Sequence, residues 1–65
     1  MDATSQKKVI AAGFTIIRRE DYPTVRIKKK DSEHYEWVTH ERFPTKAARN
    51  RVADTMLQDD FIVED

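Results

Sequence analysis

The stretch Val25-Arg26-Ile27-Lys28-Lys29-Lys30-Asp31-Ser32-Glu33-His34-Tyr35-Glu36-Trp37-Val38-Thr39 decides how this chain folds. Apolar and charged residues alternate on both sides of a polar turn, which is the period-two pattern of a half-buried hairpin. With Asp31-Ser32-Glu33 as the loop, Lys30 faces His34, Lys28 faces Glu36, Ile27 faces Trp37 and Arg26 faces Val38. That register puts Val25, Ile27, Tyr35 and Trp37 on one face, and Arg26, Lys28, Lys30, His34, Glu36 and His40 on the other. A slip of one residue sets Ile27 against Glu36 and scrambles both faces, so the pattern itself selects the pairing.

Working outward, residues 14–19 (Phe14-Thr15-Ile16-Ile17-Arg18-Arg19) read as a strand preceding 25–30 and 34–39. Glu20-Asp21-Tyr22-Pro23 is the turn between the first two, because Pro23 has no N–H to give to a ladder. A short helix is expected over about 5–12, capped by Thr4 or Ser5 and ended by Gly13 in the left-handed conformation. Downstream, Thr45 is a good N-cap for the longest helix, about 46–58. Ala48, Val52 and Met56 recur at i, i+4 and i+8, Ala53 and Leu57 widen the stripe, and Lys46, Asn50, Asp54 and Gln58 take the solvent side. Phe61-Ile62-Val63 reads as an edge strand. The expected fold is α+β and occupies residues 1–65 as one small domain. In it a three- to four-stranded antiparallel sheet packs on one long helix, with a short N-terminal helix beside it. Its core face is lined by Phe14, Ile16, Val25, Ile27, Tyr35 and Trp37.

Composition narrows the function classes. The chain has 65 residues, no Cys, and 12 Lys+Arg against 12 Asp+Glu, so there is no disulfide, thiolate zinc site or thiol nucleophile. A chain of this length buries only about 60% of the surface its unfolded form exposes, so its stability is marginal. Its longest uncharged, weakly polar stretch, Val9 to Phe14, falls far short of the ~20 residues of a membrane helix. Met1-Asp2-Ala3-Thr4-Ser5 lacks the basic start and apolar core of a signal peptide, so a cytoplasmic location without membrane contact is expected. Zero net charge conceals blocks. Residues 18–30 carry six basic side chains against Glu20 and Asp21, whereas 54–65 carry Asp54, Asp59, Asp60, Glu64 and Asp65 and no base. In a folded domain such blocks make a dipolar surface, whose local field selects the partner.

Neither catalysis, nor a metal, nor a cofactor is expected. His34 and His40 lie six residues apart, roughly 20 Å along an extended strand, which is too far to share one ion. One glycine cannot form a phosphate-cradling loop, and no nucleophile motif is present. The features that point to a partner are basic. Arg26, Lys28 and Lys30 alternate along one strand face and Arg19 joins them from the strand before, with ~6.6–6.8 Å between alternate residues, comparable to the phosphate spacing of a nucleic-acid strand. A β-ribbon with such side chains can also enter a DNA major groove. Lys46 and Arg49 stand in the first turn of the long helix, where the free N–H groups and the dipole already favour an anion. The competing explanations are ordinary: cations on a strand discourage aggregation, Glu36 pairs with Lys28 across the ladder, and Glu36, Glu41 or the acidic tail neutralises the helix start. The candidate nucleic-acid set is therefore Arg19, Arg26, Lys28, Lys30, Lys46 and Arg49. The second class is a protein-interaction or regulatory module that uses the dipolar surface and adds a partner strand at the C-terminal edge, where two copies could also pair head to tail, although a monomer is favoured.

The order of elements over Phe14 to Gln58, three strands and then a helix, is similar to the small DNA-binding domains of the plant AP2 type and to the amino-terminal arms of tyrosine integrases. That resemblance rests also on Arg26, Lys28 and Trp37 standing on strands, and it implies a sheet that reads the major groove through basic and aromatic side chains. An inward Trp37 departs from those families' exposed aromatic. Separately, Phe43-Pro44-Thr45-Lys46-Ala47-Ala48-Arg49-Asn50-Arg51, with Gly13 to Arg18, resembles small uncharacterised proteins common in gut bacteria, a group that brings no activity with it.

Overall fold

Helix α1 (Ala3–Ala11), strands β1 (Thr15–Glu20), β2 (Arg26–Lys30) and β3 (Val38–Arg42), helix α2 (Lys46–Met56) and strand β4 (Ile62–Glu64) follow one another in a computed structural model that describes all 65 residues. The strands form one four-stranded sheet in the order β3-β2-β1-β4. It is mixed rather than antiparallel: β1–β2 and β2–β3 are antiparallel, but β4 runs parallel to β1. The reason is α2, which carries the chain back across one sheet face so that β4 starts at the same end as β1. Thr15 N–H donates to the Phe61 carbonyl at 2.8 Å and Asp65 N–H to the Ile17 carbonyl at 2.9 Å, closing this parallel seam at both ends.

Local chemistry sets the helix ends. Asp2, not Thr4 or Ser5, caps α1, its carboxylate accepting from the Ser5 N–H at 2.7 Å, so the helix starts two residues earlier than expected. Gly13 terminates it at φ +98°, a conformation that costs a glycine nothing. Thr45 caps α2 by accepting from the Ala48 N–H at 3.1 Å. At 11 residues α2 is shorter than the expected helix and little longer than the nine-residue α1, so the "one long helix" is two comparable ones. They lie on opposite faces of the sheet.

The apolar face belongs to α2. Ile17 and Ile27 of neighbouring strands are fully buried beneath Ala53, with Phe43, Val52, Met56, Leu57 and Ile62 packed around them. Ile16, expected in this cluster, points to the other side, where it is buried on the face that carries α1. Phe14 is only half-buried and packs at 5.7 Å on the Phe61 ring instead.

The second hairpin departs most from expectation. Asp31 and His34 exchange backbone hydrogen bonds at 3.0 and 3.2 Å, and the Asp31 carboxylate accepts from the Glu33 and His34 N–H groups as well. This tight turn ends at His34. Tyr35 and Glu36 are then extruded, and β3 starts at Val38 rather than near 34. The observed pairs are Lys29–Val38, Lys28–Thr39, Ile27–Glu41 and Arg26–Arg42, with His40 as an extra residue between the two halves. The change of parity sends the side chains of Trp37 to Thr39 to the opposite face, and the extra residue at His40 restores the expected parity for Glu41 and Arg42. Trp37 accordingly leaves the core face and joins Lys28 and Lys30, and Tyr35 is 78% exposed.

Candidate nucleic-acid interface

The face opposite α2 has two halves. α1 covers the half with Ile16, and Gln6, buried beneath the helix, ties the sheet to it: Lys30 Nζ donates to Gln6 Oε1 at 3.0 Å, and Gln6 Nε2 donates to Asp65 at 3.3 Å. The open half is formed by β1, β2 and β3. Alternation on β2 places Arg26, Lys28 and Lys30 there, and the observed pairing adds Arg18 beside Lys28 and Arg42 beside Arg26. Five cations thus face two carboxylates, Glu20 and Asp65.

Trp37 stands at the Lys30 end of this surface. The Arg18 guanidinium lies over its ring at 4.4 Å from the centroid, and Lys30 Nζ is 5.7 Å away on the same face of the sheet. A cation held over an indole ring is attracted by the ring's quadrupole, and indole is the strongest such partner among side chains. Arg18 is fixed from its other end by Asp65 at 2.6 Å, which holds the Asp65 carboxyl below the usual carboxylate range against the opposing effect of burial. Glu20 stands among the remaining cations, 3.3 Å from Arg26, 3.7 Å from Lys28 and 3.9 Å from Arg18. The neutralising carboxylate on β2 is therefore Glu20, not the expected Glu36, which is extruded and exposed. Glu20 is shared three ways and cancels one charge. Arg42 has no ion pair, Lys30 bonds only the neutral Gln6 amide, and Arg26 Nε is buried without a hydrogen-bond partner.

The other three candidates sit elsewhere. Arg19 projects to the α2 side, where Asp54 at 2.8 Å, Glu64 at 2.7 Å and Asn50 at 3.3 Å hold it. Those two carboxylates, Glu64 foremost, raise its already high pKa. Arg49 and Lys46 do occupy the start of α2, but that position is already neutralised from within. Asp21 from the β1–β2 turn reaches both, in direct contact with Arg49 and at 3.4 Å from Lys46, and Arg49 also donates to the Glu20 carbonyl at 2.9 Å. Arg49 is 6% exposed, and its guanidinium holds the Asp21 carboxyl below the ordinary range. Neither Glu36, Glu41 nor the tail takes part at this turn. Asn50, expected on the solvent side, is half-buried and bonded to both Arg19 and Arg49.

His34 bonds Asp31 at 3.0 Å, whereas His40 is exposed on the edge strand. Nowhere do three His, Cys, Asp or Glu side chains come together in a group able to hold a metal ion. No helix is long and apolar enough to cross a membrane. The acidic tail divides between the two arginines of β1, Asp65 to Arg18 and Glu64 to Arg19, and makes no ion pair with the cations of β2. No protein-family model matches the chain, and no curated protein or solved structure matches it either.

Proposed function

We propose that this chain is a non-enzymatic nucleic-acid-binding protein that takes a phosphate backbone on the open sheet face through Arg26, Lys28, Lys30 and Arg42, with Arg18 and Trp37 beside them. The observation that carries this reading is the placement of Trp37 within 6 Å of two cations on the same face as the β2 row. An aromatic among phosphate-binding side chains is what nucleic-acid surfaces use and what a plain solvated strand does not need. Net charge near zero limits long-range attraction, so binding is expected to be weak and local. Arg19, Lys46 and Arg49 serve the fold in this reading. NMR titration with a short DNA duplex, and with one of its strands, at low and moderate salt tests it. Resonances of β2 and the Trp37 indole should shift at low salt, and the affinity should fall steeply with salt as counterions are released. No shift on β2 at low salt removes the proposal.

Strand addition by a protein partner is the second reading. Its support is the sheet order, which leaves β3 and the three-residue β4 as open edges. The extra residue at His40 and the exposed pair Glu41 and Arg42 blunt the longer edge, as edges that stay unpaired commonly are. A sedimentation series across concentration separates the two: self-association favours strand addition, and a monomer that binds DNA disfavours it.

A further inference from the structure

Between α1 and the turn after β2 lies a cleft of about 410 Å³. One wall is the apolar flank of α1, built by Ala3, Ile10 and Ala11, which recur on one helix face. The other wall is Tyr35, extruded by the tight Asp31–His34 turn and 78% exposed. Lys30 and Lys7 supply its positive charge. The volume is at the small end of the range for ligand sites, about 300–1,000 Å³, and suits one ring system with an attached anion.

We propose that this cleft seats one unpaired base of a single nucleic-acid strand, whose backbone then leaves along Lys30, Lys28 and Arg26. The inference rests on the nucleic-acid reading above and names the form of nucleic acid bound. Three observations lead to it. Lys30 belongs to both sites: it lines the cleft and ends the β2 row, so a backbone leaving the cleft meets the row without a gap. Its ammonium spends one donor on Gln6 and has two left for a phosphate. Tyr35 offers a planar face at a position where a hairpin turn needs only polar residues, and a base stacks on such a face whatever its identity. A base inside a duplex cannot reach the cleft, because both of its faces are already stacked. Gln6 in the cleft wall has both ends engaged, with Lys30 on one side and Met1 and Asp65 on the other. Little remains to read a base edge, so recognition is tolerant of sequence.

The test compares a short labelled oligothymidine with a blunt DNA duplex of the same length by fluorescence anisotropy at low salt, using the whole chain. The strand should bind more tightly than the duplex. Tyr35→Ala should weaken the strand about tenfold and leave the duplex unchanged, and Ala3→Leu, which narrows the cleft, should do the same. Ala3 and Tyr35 are both exposed, so thermal melts of the two variants should match the parent. Equal affinity for strand and duplex, with neither variant changing either, overturns the cleft and leaves the sheet-face reading standing. Absence of binding to both DNAs overturns the two together.

Discussion

The two faces of the sheet use the same kinds of residue to opposite ends. On the α2 face, arginine is consumed: Arg19 meets Asp54 and Glu64, and Arg49 meets Asp21 and the Glu20 carbonyl, around an apolar centre of Ile17, Ile27 and Ala53. On the opposite face, Arg18, Arg26, Lys28, Lys30 and Arg42 outnumber Glu20 and Asp65, and the aromatic among them, Trp37, lies against Arg18 and Lys30. The difference teaches that a charged strand residue is read for function only after its own partners are counted. Arg19 and Arg49, and on the other face Arg18 through Asp65, are committed to the fold, whereas Lys28 and Arg26 share the one Glu20 carboxylate and Arg42 has none, so charge remains to offer there.

The largest effect should come from breaking the apolar face. Ile27 is fully buried at the centre of the cluster, and Ile27→Ala is expected to cost about 2–5 kcal/mol. A domain of this size without disulfide or metal holds on the order of 3–5 kcal/mol in total. The variant should therefore be largely unfolded at room temperature by circular dichroism. A melt close to the parent's would mean that the core lies elsewhere and that the two faces have been assigned the wrong way round.

Acid should act on both faces at once. Asp21 is held below the ordinary carboxylate range by Arg49 and then Lys46, and Asp65 by Arg18, each against a smaller penalty from burial. For Asp31 burial pushes upward, but the His34 ring and the Glu33 and His34 N–H groups together outweigh it. Unfolded carboxyls take up protons around pH 3.9, while these three resist until lower pH. The unfolded state then binds more protons, and stability falls as pH falls. Melting temperature should hold level from pH 7 to about 5, decline below about pH 4, and go on declining until the folded-state values are passed. A melting temperature at about pH 3 equal to that at neutral pH would show that these pairs do not contribute.

Trp37→Ala should cost less than Ile27→Ala, although tryptophan is the larger residue. Its ring is half-buried on the charged face and makes none of the contacts of the Ile17–Ile27–Ala53 cluster. The loss is the Arg18 and Lys30 contacts, worth about 0.5–2 kcal/mol together with part of the ring's buried area. That is below the 3–5 kcal/mol typical of a tryptophan truncated in a core. A melt lowered by several degrees with folding retained is the expected result, and complete unfolding would return Trp37 to a structural role.

Trp37 also shows where the sequence stops being legible. The order of elements, the Thr45 cap, the Gly13 stop and the shared face of Arg26, Lys28 and Lys30 all follow from short-range rules that act within a few residues. The β2–β3 register does not, because two irregularities interrupt the count by twos, one between Ile27 and Trp37 and one beyond Trp37. One is the extrusion of Tyr35 and Glu36, set by competing hydrogen bonds from the Asp31 carboxylate, and the other is the extra residue at His40. The expected place of Ile16 on the core face fails for a simpler reason, since Ile16 and Ile17 are both apolar and both fully buried, one on each face, and residue type does not tell them apart. Arg49 left a usable signal. Arg49, Val52, Ala53 and Met56 stand at i, i+3, i+4 and i+7, a complete helical stripe whose first member is an arginine, so its burial was implied once a partner was sought. That partner, Asp21, is 28 positions away, and nothing local pointed to it.

The smallest stability effect should give the sharpest contrast between the faces. Lys28→Gln and Arg19→Gln remove one charge each from neighbouring strands, on opposite sides of the sheet. Lys28 shares Glu20 with Arg26 and Arg18, so its removal leaves that carboxylate paired and should cost less than about 1 kcal/mol. Arg19 is the sole basic partner of both Asp54 and Glu64, so its removal should lower the melting temperature more than the Lys28 change does. Binding should rank the other way. Lys28→Gln should weaken a short DNA strand and reduce the salt dependence by about one phosphate, whereas Arg19→Gln should leave both unchanged once the protein is folded. Paired thermal melts and salt-dependent titrations of the two variants decide the matter. If Arg19→Gln lowers the salt dependence as much as Lys28→Gln, the charge that attracts the strand is not confined to the open face. The contrast between a face that spends its cations on the fold and a face that offers them would then fail.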